Sequence, residues 1–360
     1  MFKEFLEKYQ LLHLKKIAVA VSGGADSLAL VLMMKDEMIS LGIDVVALTV
    51  DHGLREESAK EAAYVAKLMS EYGIEHHILC WEGQKPTTGI EEAAREARYR
   101  LLKDWCFAND VKAMAVAHHA GDQAETFLMR LQRGSGLEGL CGMHPFSVRD
   151  GLLILRPLLG VMPEDLRLYL QKHKISWVED PSNQCEDFLR VRVRKFMPQV
   201  EERLGISRRR LVETMQILQD TFSYIQEQVG KFISNHVRNW DNAGVSFSIK
   251  NLDMLHGELL FRVLSVLILQ YGQAKYKAEA SEIKRVIRRL SDKEFKGCTL
   301  GGCEIIKDYE QIWIVPELKI KKRPAKKVWE EYVEENPKYK KIKIPYKLRL
   351  SLLKLNPIYK

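Results

Sequence analysis

The chain has 360 residues, 46% hydrophobic and 29% charged, which predicts roughly two domains with a substantial core. Its formal net charge of +8 is uneven: residues 319–360 hold 14 Lys and Arg against 4 Glu, which fits either a polyanionic partner or a solvated surface. The sequence offers no membrane span, its most apolar helical stretch (Leu259 to Leu269) being short and broken by Arg262; it lacks a signal-peptide core and any C-x-x-C pair among its six cysteines.

These exclusions predict a cytoplasmic protein with reduced thiols and no zinc ribbon or thiol-ligated cluster. In chain order, the apolar run Ile17 to Val21 reads as a buried strand, broken at Ser22-Gly23-Gly24-Ala25-Asp26-Ser27 before helical spacing resumes at Leu28. Adjacent glycines admit a ligand close to the backbone, and a helix start directs unpaired N–H groups at the turn, so a phosphate fits there. Ser22 and Ser27 add hydroxyls. Asp26 beside an anion implies an intervening Mg²⁺. The plainer alternative is a βα turn capped by Asp26 or Ser27.

A helix to Ile39 leads to a second strand, Val45 to Val50, ending at Asp51-His52-Gly53-Leu54-Arg55. Asp51 could hold metal, ribose or amine, or simply cap the helix from Glu56 or brace the turn at Gly53. A short strand (Ile78 to Trp81) and a long helix (Ile90 to Phe107) follow, the latter placing Glu91, Arg95, Arg98, Tyr99 and Leu102 on one stripe, with Tyr99 and Leu102 predicting an inward-facing, oriented arginine. The strand Ala113 to Ala117 ends at His118-His119, and the next helix starts at Asp122, a candidate N-cap with Glu125 three residues on. A glycine-rich segment containing Arg133 then suits a mobile loop. The alternation predicts an α/β fold with a parallel, doubly wound sheet whose strand ends gather the glycine loop, Asp51-His52 and His118 to Thr126.

Arg190, Arg192, Arg194, Lys195, Arg203 and Arg208 to Arg210 form a dense basic run that predicts RNA contact, although Arg/Val alternation at 190–194 could equally mark an exposed strand. Beyond Leu211 the chain reads as mainly helical, with Lys284, Arg285, Arg288 and Arg289 on one helix and a tight turn at Cys298 to Cys303 between strands. Three domains are expected: 1–210 catalytic, 211–318 mainly helical and RNA-binding, and 319–360 a basic tail. In that tail Trp329, Tyr332, Tyr339 and Tyr346 could stack on RNA or pack a small end domain.

SGGADS at 22–27 resembles the loop of the PP-loop N-type ATP pyrophosphatases. Taken with DHGLR at 51–55, E-x-x-x-R-x-x-R-Y at 91–99, AHHAGDQAET at 117–126, RLQRGSGLEGLCGM at 130–143, RPLL at 156–159 and W-x-x-D-x-SN at 177–183, it makes the first 200 or so residues similar to the tRNA(Ile)-lysidine synthase family. The resemblance implies that ATP adenylates the oxygen on carbon 2 of the first anticodon cytosine of a CAU-anticodon isoleucine tRNA. The side-chain amine of free L-lysine then displaces AMP, and the product reads AUA. It implies an ATP site at Ser22, Gly23, Gly24, Ala25, Asp26 and Ser27, Mg²⁺ at Asp26 and Asp122, and catalytic roles for Asp26, Asp51, Arg95, Arg98, His118 and Asp122. Arg95 or Arg98 would stabilise pyrophosphate; Asp51, Asp122 or Glu125 would pair with lysine, and His118 or His119 would take its proton. Arg133, Arg190, Arg192 and Arg194 are the expected tRNA contacts, and a homodimer is possible. Two positions depart from the family pattern: Gly121 replaces the first of two adjacent acids, and 190–194 keeps arginines without the usual asparagine. A cytidine or uridine thiolase is the alternative.

Overall fold

Strands apolar on both faces need cover from two sides, and the computed structural model of this chain provides it. The structure describes all residues except 55, 84, 87, 180–188, 253, 273–277, 309, 319–325, 341 and 356–360, and it leaves the side chains of 56, 91 and 326 undescribed. Arg55, the Glu91 side chain, the 180–183 part of the W-x-x-D-x-SN motif, Cys185 and residues 319–325 of the expected tail therefore lie outside the described residues. The chain divides into two compact units, Met1–Phe222 and Ser223–Lys360.

The first unit runs α1 (Phe2–Lys8), β1 (Lys16–Ala20), α2 (Ala25–Ile39), β2 (Asp44–Asp51), α3 (Glu56–Glu71), β3 (Glu75–Cys80), α4 (Ile90–Ala108), β4 (Ala113–Ala115), α5 (Ala120–Gln132) and α6 (Leu137–Leu140). It continues through β5 (Phe146–Arg149), β6 (Leu152–Leu155), α7 (Pro163–Lys172), α8 (Leu189–Leu204) and the start of α9 (Arg208–His236). The sheet order is β3-β2-β1-β4-β6-β5, parallel except for β5, which pairs antiparallel with β6. Period-two alternation sorts the strand side chains. Ile17, Val19, Ala47, Ala113 and Ala115 join α2, α3 and α7 in one core, while Ala18, Val46, Leu48, Met114 and Ile154 face α4 across the other. Residues 190–194 are helical, in α8, so the exposed-strand alternative does not hold.

The second unit adds β7 (Arg238–Asn239), β8 (Val245–Ser248), α10 (Gly257–Tyr271), α11 (Ala280–Leu290), β9 (Gly297–Leu300), β10 (Cys303–Asp308), β11 (Gln311–Pro316), α12 (Lys326–Glu335) and α13 (Tyr346–Leu355). Helices dominate it, and they cover an antiparallel sheet of order β7-β8-β11-β10-β9, which extends well past the strand pair expected around Cys298 to Cys303. Gly301 and Gly302 both take positive φ, the backbone that a two-residue hairpin turn demands. The central strand β11 is buried on both faces: Ile312 and Ile314 pack with α10 and α11, whereas Trp313 and Val315 pack with Tyr332, Tyr339, Leu348 and Leu352.

Of the two readings open for the aromatics of the expected basic tail, packing rather than RNA stacking is what Tyr332 and Tyr339 show within residues 326–355. Tyr332 and Tyr339 are buried core residues rather than surface stacking platforms, because Trp240 and Trp313 need an apolar cover that α12 and α13 supply. Deleting residues 319–360 is expected to bare Trp240 and Trp313 and abolish the cooperative unfolding of the second unit. A truncated chain that keeps blue-shifted tryptophan emission and a sharp denaturant transition would contradict this packing.

Candidate active site

The turn after β1 is built by its own hydroxyls. Ser22 donates its backbone N–H to Ser27 Oγ at 3.1 Å, Ser27 Oγ donates to the Gly24 carbonyl at 3.0 Å, and the two hydroxyls lie 3.2 Å apart. Gly23 holds φ +86°, and its carbonyl accepts from Val178 N–H at 3.0 Å. Gly24, the N-cap of α2, provides no side chain, so neither Asp26 nor Ser27 caps that helix as the plainer alternative would have it. The first N–H groups of a 15-residue helix are left for an anion, at the positive end of its dipole. Asp26, 39% exposed, stands open beside them.

Asp51 is occupied locally: its Oδ1 accepts from Ser58 Oγ at 2.6 Å and Gly53 N–H at 2.8 Å. The Ser58 hydrogen bond, with help from Gly53, holds the carboxyl below its usual range despite partial burial. Beside it, His52 Nε2 accepts from Arg98 at 3.3–3.4 Å, and burial followed by the Arg98 charge lowers that imidazole's pKa. Arg95 and Arg98 are both exposed, contrary to the expected inward arginine, because α4 buries Ala94, Ala97, Leu102 and Cys106 instead. Arg95 lies over the Tyr99 ring at 5.3 Å.

The strand β4 delivers two histidines with opposite surroundings. Burial pushes His118 down to about 4, against the pull of Asp122, while Arg156, Arg190 and Arg95 push the same way as burial. It is therefore a neutral ring and a weak proton acceptor. His119, 8% exposed, caps α5 in place of the expected Asp122: its Nδ1 accepts from Gly121 N–H at 3.0 Å, and its own N–H donates to Asp122 Oδ2 at 3.1 Å. Its Nε2 lies 3.4 Å from Asp26 and 3.6 Å from Asp122. Although burial opposes it, those carboxylates raise its pKa.

Glu125, 3% exposed, ties α5 to α8. Arg194 Nε donates to it at 2.6 Å, Arg190 Nε lies 3.4 Å from its other oxygen, and Arg190 Nη2 donates to Thr126 at 3.1 Å. Two of the four arginines expected on RNA are thus turned toward a buried carboxylate, at i and i+4 of one helix face. Arg192, between them in sequence, is exposed, as is Arg133 at the end of α5. His118 Nδ1 and Arg156 Nε are buried and make no hydrogen bond, and orphan polar atoms of this kind are ones a ligand could satisfy. Arg156 follows β6 directly and is the site residue that sequence reasoning passed over; its place at the start of RPLL, on a strand's carboxyl end, was the available signal.

The glycine-rich segment after α5 is pinned rather than loose. Gln123 makes two 2.8 Å bonds to the Met143 backbone, Arg130 donates to the Gly139 and Gly142 carbonyls, and Gln219 donates to those of Cys141 and Met143.

Replacing Arg194 by Ala leaves Glu125 buried with one partner fewer, an expected loss of about 1–3 kcal/mol in urea unfolding, against under ~0.5 kcal/mol for Arg192→Ala. Equal effects would show that Glu125 does not depend on α8. Because the His118 pKa is lower folded than unfolded, the unfolded chain takes its proton first. Stability should therefore fall as pH drops from about 6.5 toward 4, and His118→Gln should make that slope shallower.

A PP-loop domain model matches residues 1–201. The tRNA(Ile)-lysidine synthase of Wolbachia pipientis wMel is 36% identical over 308 residues, covering 84% of this chain and 70% of that protein. Those of the Brugia malayi Wolbachia and of Hyphomonas neptunium are 33% and 35% identical, covering 88% and 84% of this chain and 74% and 81% of theirs. Among solved structures, a U34-tRNA thiolase from Methanococcus maripaludis matches at TM-score 0.49 and 18% identity, over 61% of this chain and 80% of that one. This chain belongs to the tRNA(Ile)-lysidine synthase family of PP-loop proteins.

Proposed function

We propose that this protein is a ligase that joins free lysine to carbon 2 of the wobble cytidine of the CAU-anticodon isoleucine tRNA, consuming ATP and releasing AMP and pyrophosphate. The observation that carries the reading is the meeting, at the carboxyl ends of β1 and β4, of an uncapped helix start with Asp26, His119 and Asp122. In a doubly wound sheet that reversal of strand order is where ligands sit.

The Ser22–Ser27 backbone receives the ATP phosphates. The residues fit Mg²⁺ as a partner of those phosphates, since the ion commonly takes one or two carboxylates and leaves its other positions to phosphate and water. Asp26, the open carboxylate, would hold it, with Asp122 behind; bound there, Mg²⁺ would offset the charge that develops on pyrophosphate. Arg95 and Arg98, exposed near the same edge, add positive charge for that leaving group. The cytosine O2 attacks the α-phosphorus and pyrophosphate departs. The lysine Nε then attacks carbon 2, the carbon–oxygen bond breaks, and AMP carries the oxygen away. Glu125 is already matched by two arginines, so among the carboxylates considered for lysine it is Asp122, beside Arg194 and His119, that remains nearer the open site. Arg133 and Arg192, both exposed, are the candidates for phosphate contact with tRNA.

The thiolase alternative needs reactive thiols. Among the described cysteines, burial pushes the thiols of Cys106 and Cys303 up to about 12, which leaves those two inert at neutral pH, while Cys80 is exposed.

The test is incorporation of radiolabelled lysine into a CAU-anticodon isoleucine tRNA transcript with Mg-ATP, beside a methionine tRNA of the same anticodon. Label on the isoleucine transcript alone is expected, and Asp26→Ala should remove it while leaving tRNA binding in place. ATP cleavage to AMP without label on either tRNA would overturn the lysine assignment.

A further inference from the structure

The N-cap of α5 is an unusual choice. Asn, Asp, Ser and Thr cap helices best, and any of them would satisfy the Gly121 N–H. None would reach α2. An imidazole offers a second nitrogen on the far side of the ring, and here that nitrogen faces Asp26. The hydrogen bond accepted at Nδ1 also fixes the tautomer, because a nitrogen that accepts carries no proton. The ring N–H therefore sits on Nε2, 3.4 Å from Asp26 and 3.6 Å from Asp122.

Gly121 is what admits this ring. Its φ is not in the left-handed region, so its backbone does not require glycine, and glycine inside a helix costs about 0.5–1 kcal/mol relative to alanine. A Cβ at 121 would lie 2.8 Å from His119 Cε1 and 3.1 Å from Nδ1, with Pro163 at 3.6 Å behind. Contacts of 2.8 Å do not occur between real Cβ atoms and their neighbours, and the ring is wedged under a helix start, so a side chain at 121 and the observed His119 rotamer exclude one another.

We propose that His119 is a positioning residue for Asp26, holding its carboxylate toward the glycine loop through Nε2–H, and that the absence of a side chain at 121 exists to make room for it. The two positions act as one unit: the ring takes the space that a larger residue at 121 would fill, and it passes the order of the α5 start across to α2. The inference rests on the reading of Asp26 as the nucleotide-side carboxylate.

The test compares wild type with His119→Asn, Gly121→Ala, the double variant and Asp26→Ala. Asparagine keeps a cap acceptor but cannot reach Asp26, so His119→Asn should retain its melting temperature. It should raise the Mg²⁺ concentration needed for half-maximal ATP binding by about tenfold in calorimetry without tRNA. In lysidine formation its KM for ATP should rise while the KM for tRNA stays put. Gly121→Ala should reproduce that phenotype by displacing the ring, and the double variant should be no worse than His119→Asn alone. Wild-type nucleotide binding by His119→Asn and Gly121→Ala, with binding lost only in Asp26→Ala, would overturn the proposal and leave the Asp26 reading intact. Wild-type binding in Asp26→Ala would overturn the reading itself. Should Gly121→Ala fail to fold, His119→Asn alone decides between these outcomes.

Discussion

A parallel sheet has all its strands pointing one way, so every loop that leaves a strand for a helix must emerge on the same edge. The first unit is governed by that constraint. Its strands β1, β2, β4 and β6 each end in a segment that carries chemistry: Ser22–Ser27, Asp51-His52, His118-His119 and Arg156. None of these segments is near another in sequence, and no local force pairs them. The sheet brings them together as a by-product of burying Ile17, Val46, Met114 and their neighbours on two faces, and the strand order splits between β1 and β4 where the glycine loop faces the histidines.

What the sheet gathers, buried charge then fixes. Glu125, 3% exposed, is a buried carboxylate that needs partners, and Arg190 and Arg194 supply them while it holds those arginines inward. The pair thereby places α8 against α5, with Ala124, Met197 and Leu211 packed beneath. Burial, followed by this excess of guanidinium, pushes the pKa of His118 down, whereas Asp26 and Asp122 pull that of His119, one residue on, the other way. Adjacent residues of one type are driven apart by which side of a helix start each occupies.

Much of the first unit was legible because its signals are short-range. A five-residue apolar run, a pair of glycines and a resumption of helical spacing define β1, the loop and α2, and the loop hydrogen bonds at Ser22, Gly24 and Ser27 span five residues or fewer. The inward turn of Arg190 and Arg194 was not legible, since basic residues at i and i+4 read alike whether they face phosphate or a carboxylate far upstream in the sequence, such as Glu125, 69 residues before Arg194. Arg95 and Arg98 misled for a related reason: the buried stripe of α4 runs through alanines, which carry little weight in a hydrophobic pattern. In the second unit the aromatic residues of α12 and the segment after it looked like RNA platforms because their cover, Trp240 and Trp313, lies far upstream.

The double-sided burial of β11 also bears on how the protein is made. Domains tend to fold as they leave the ribosome, and the first unit has all its strands in hand once Leu155 is out. The second unit cannot keep pace. One face of its sheet is covered by α10 and α11, which precede β11, but the other waits for α12 and α13, which follow it. Until Leu352 has emerged, Trp240, Trp313 and Val315 lack the apolar cover that they have in the complete chain. The first unit thus has its sheet complete while one face of the second unit's sheet still lacks its cover.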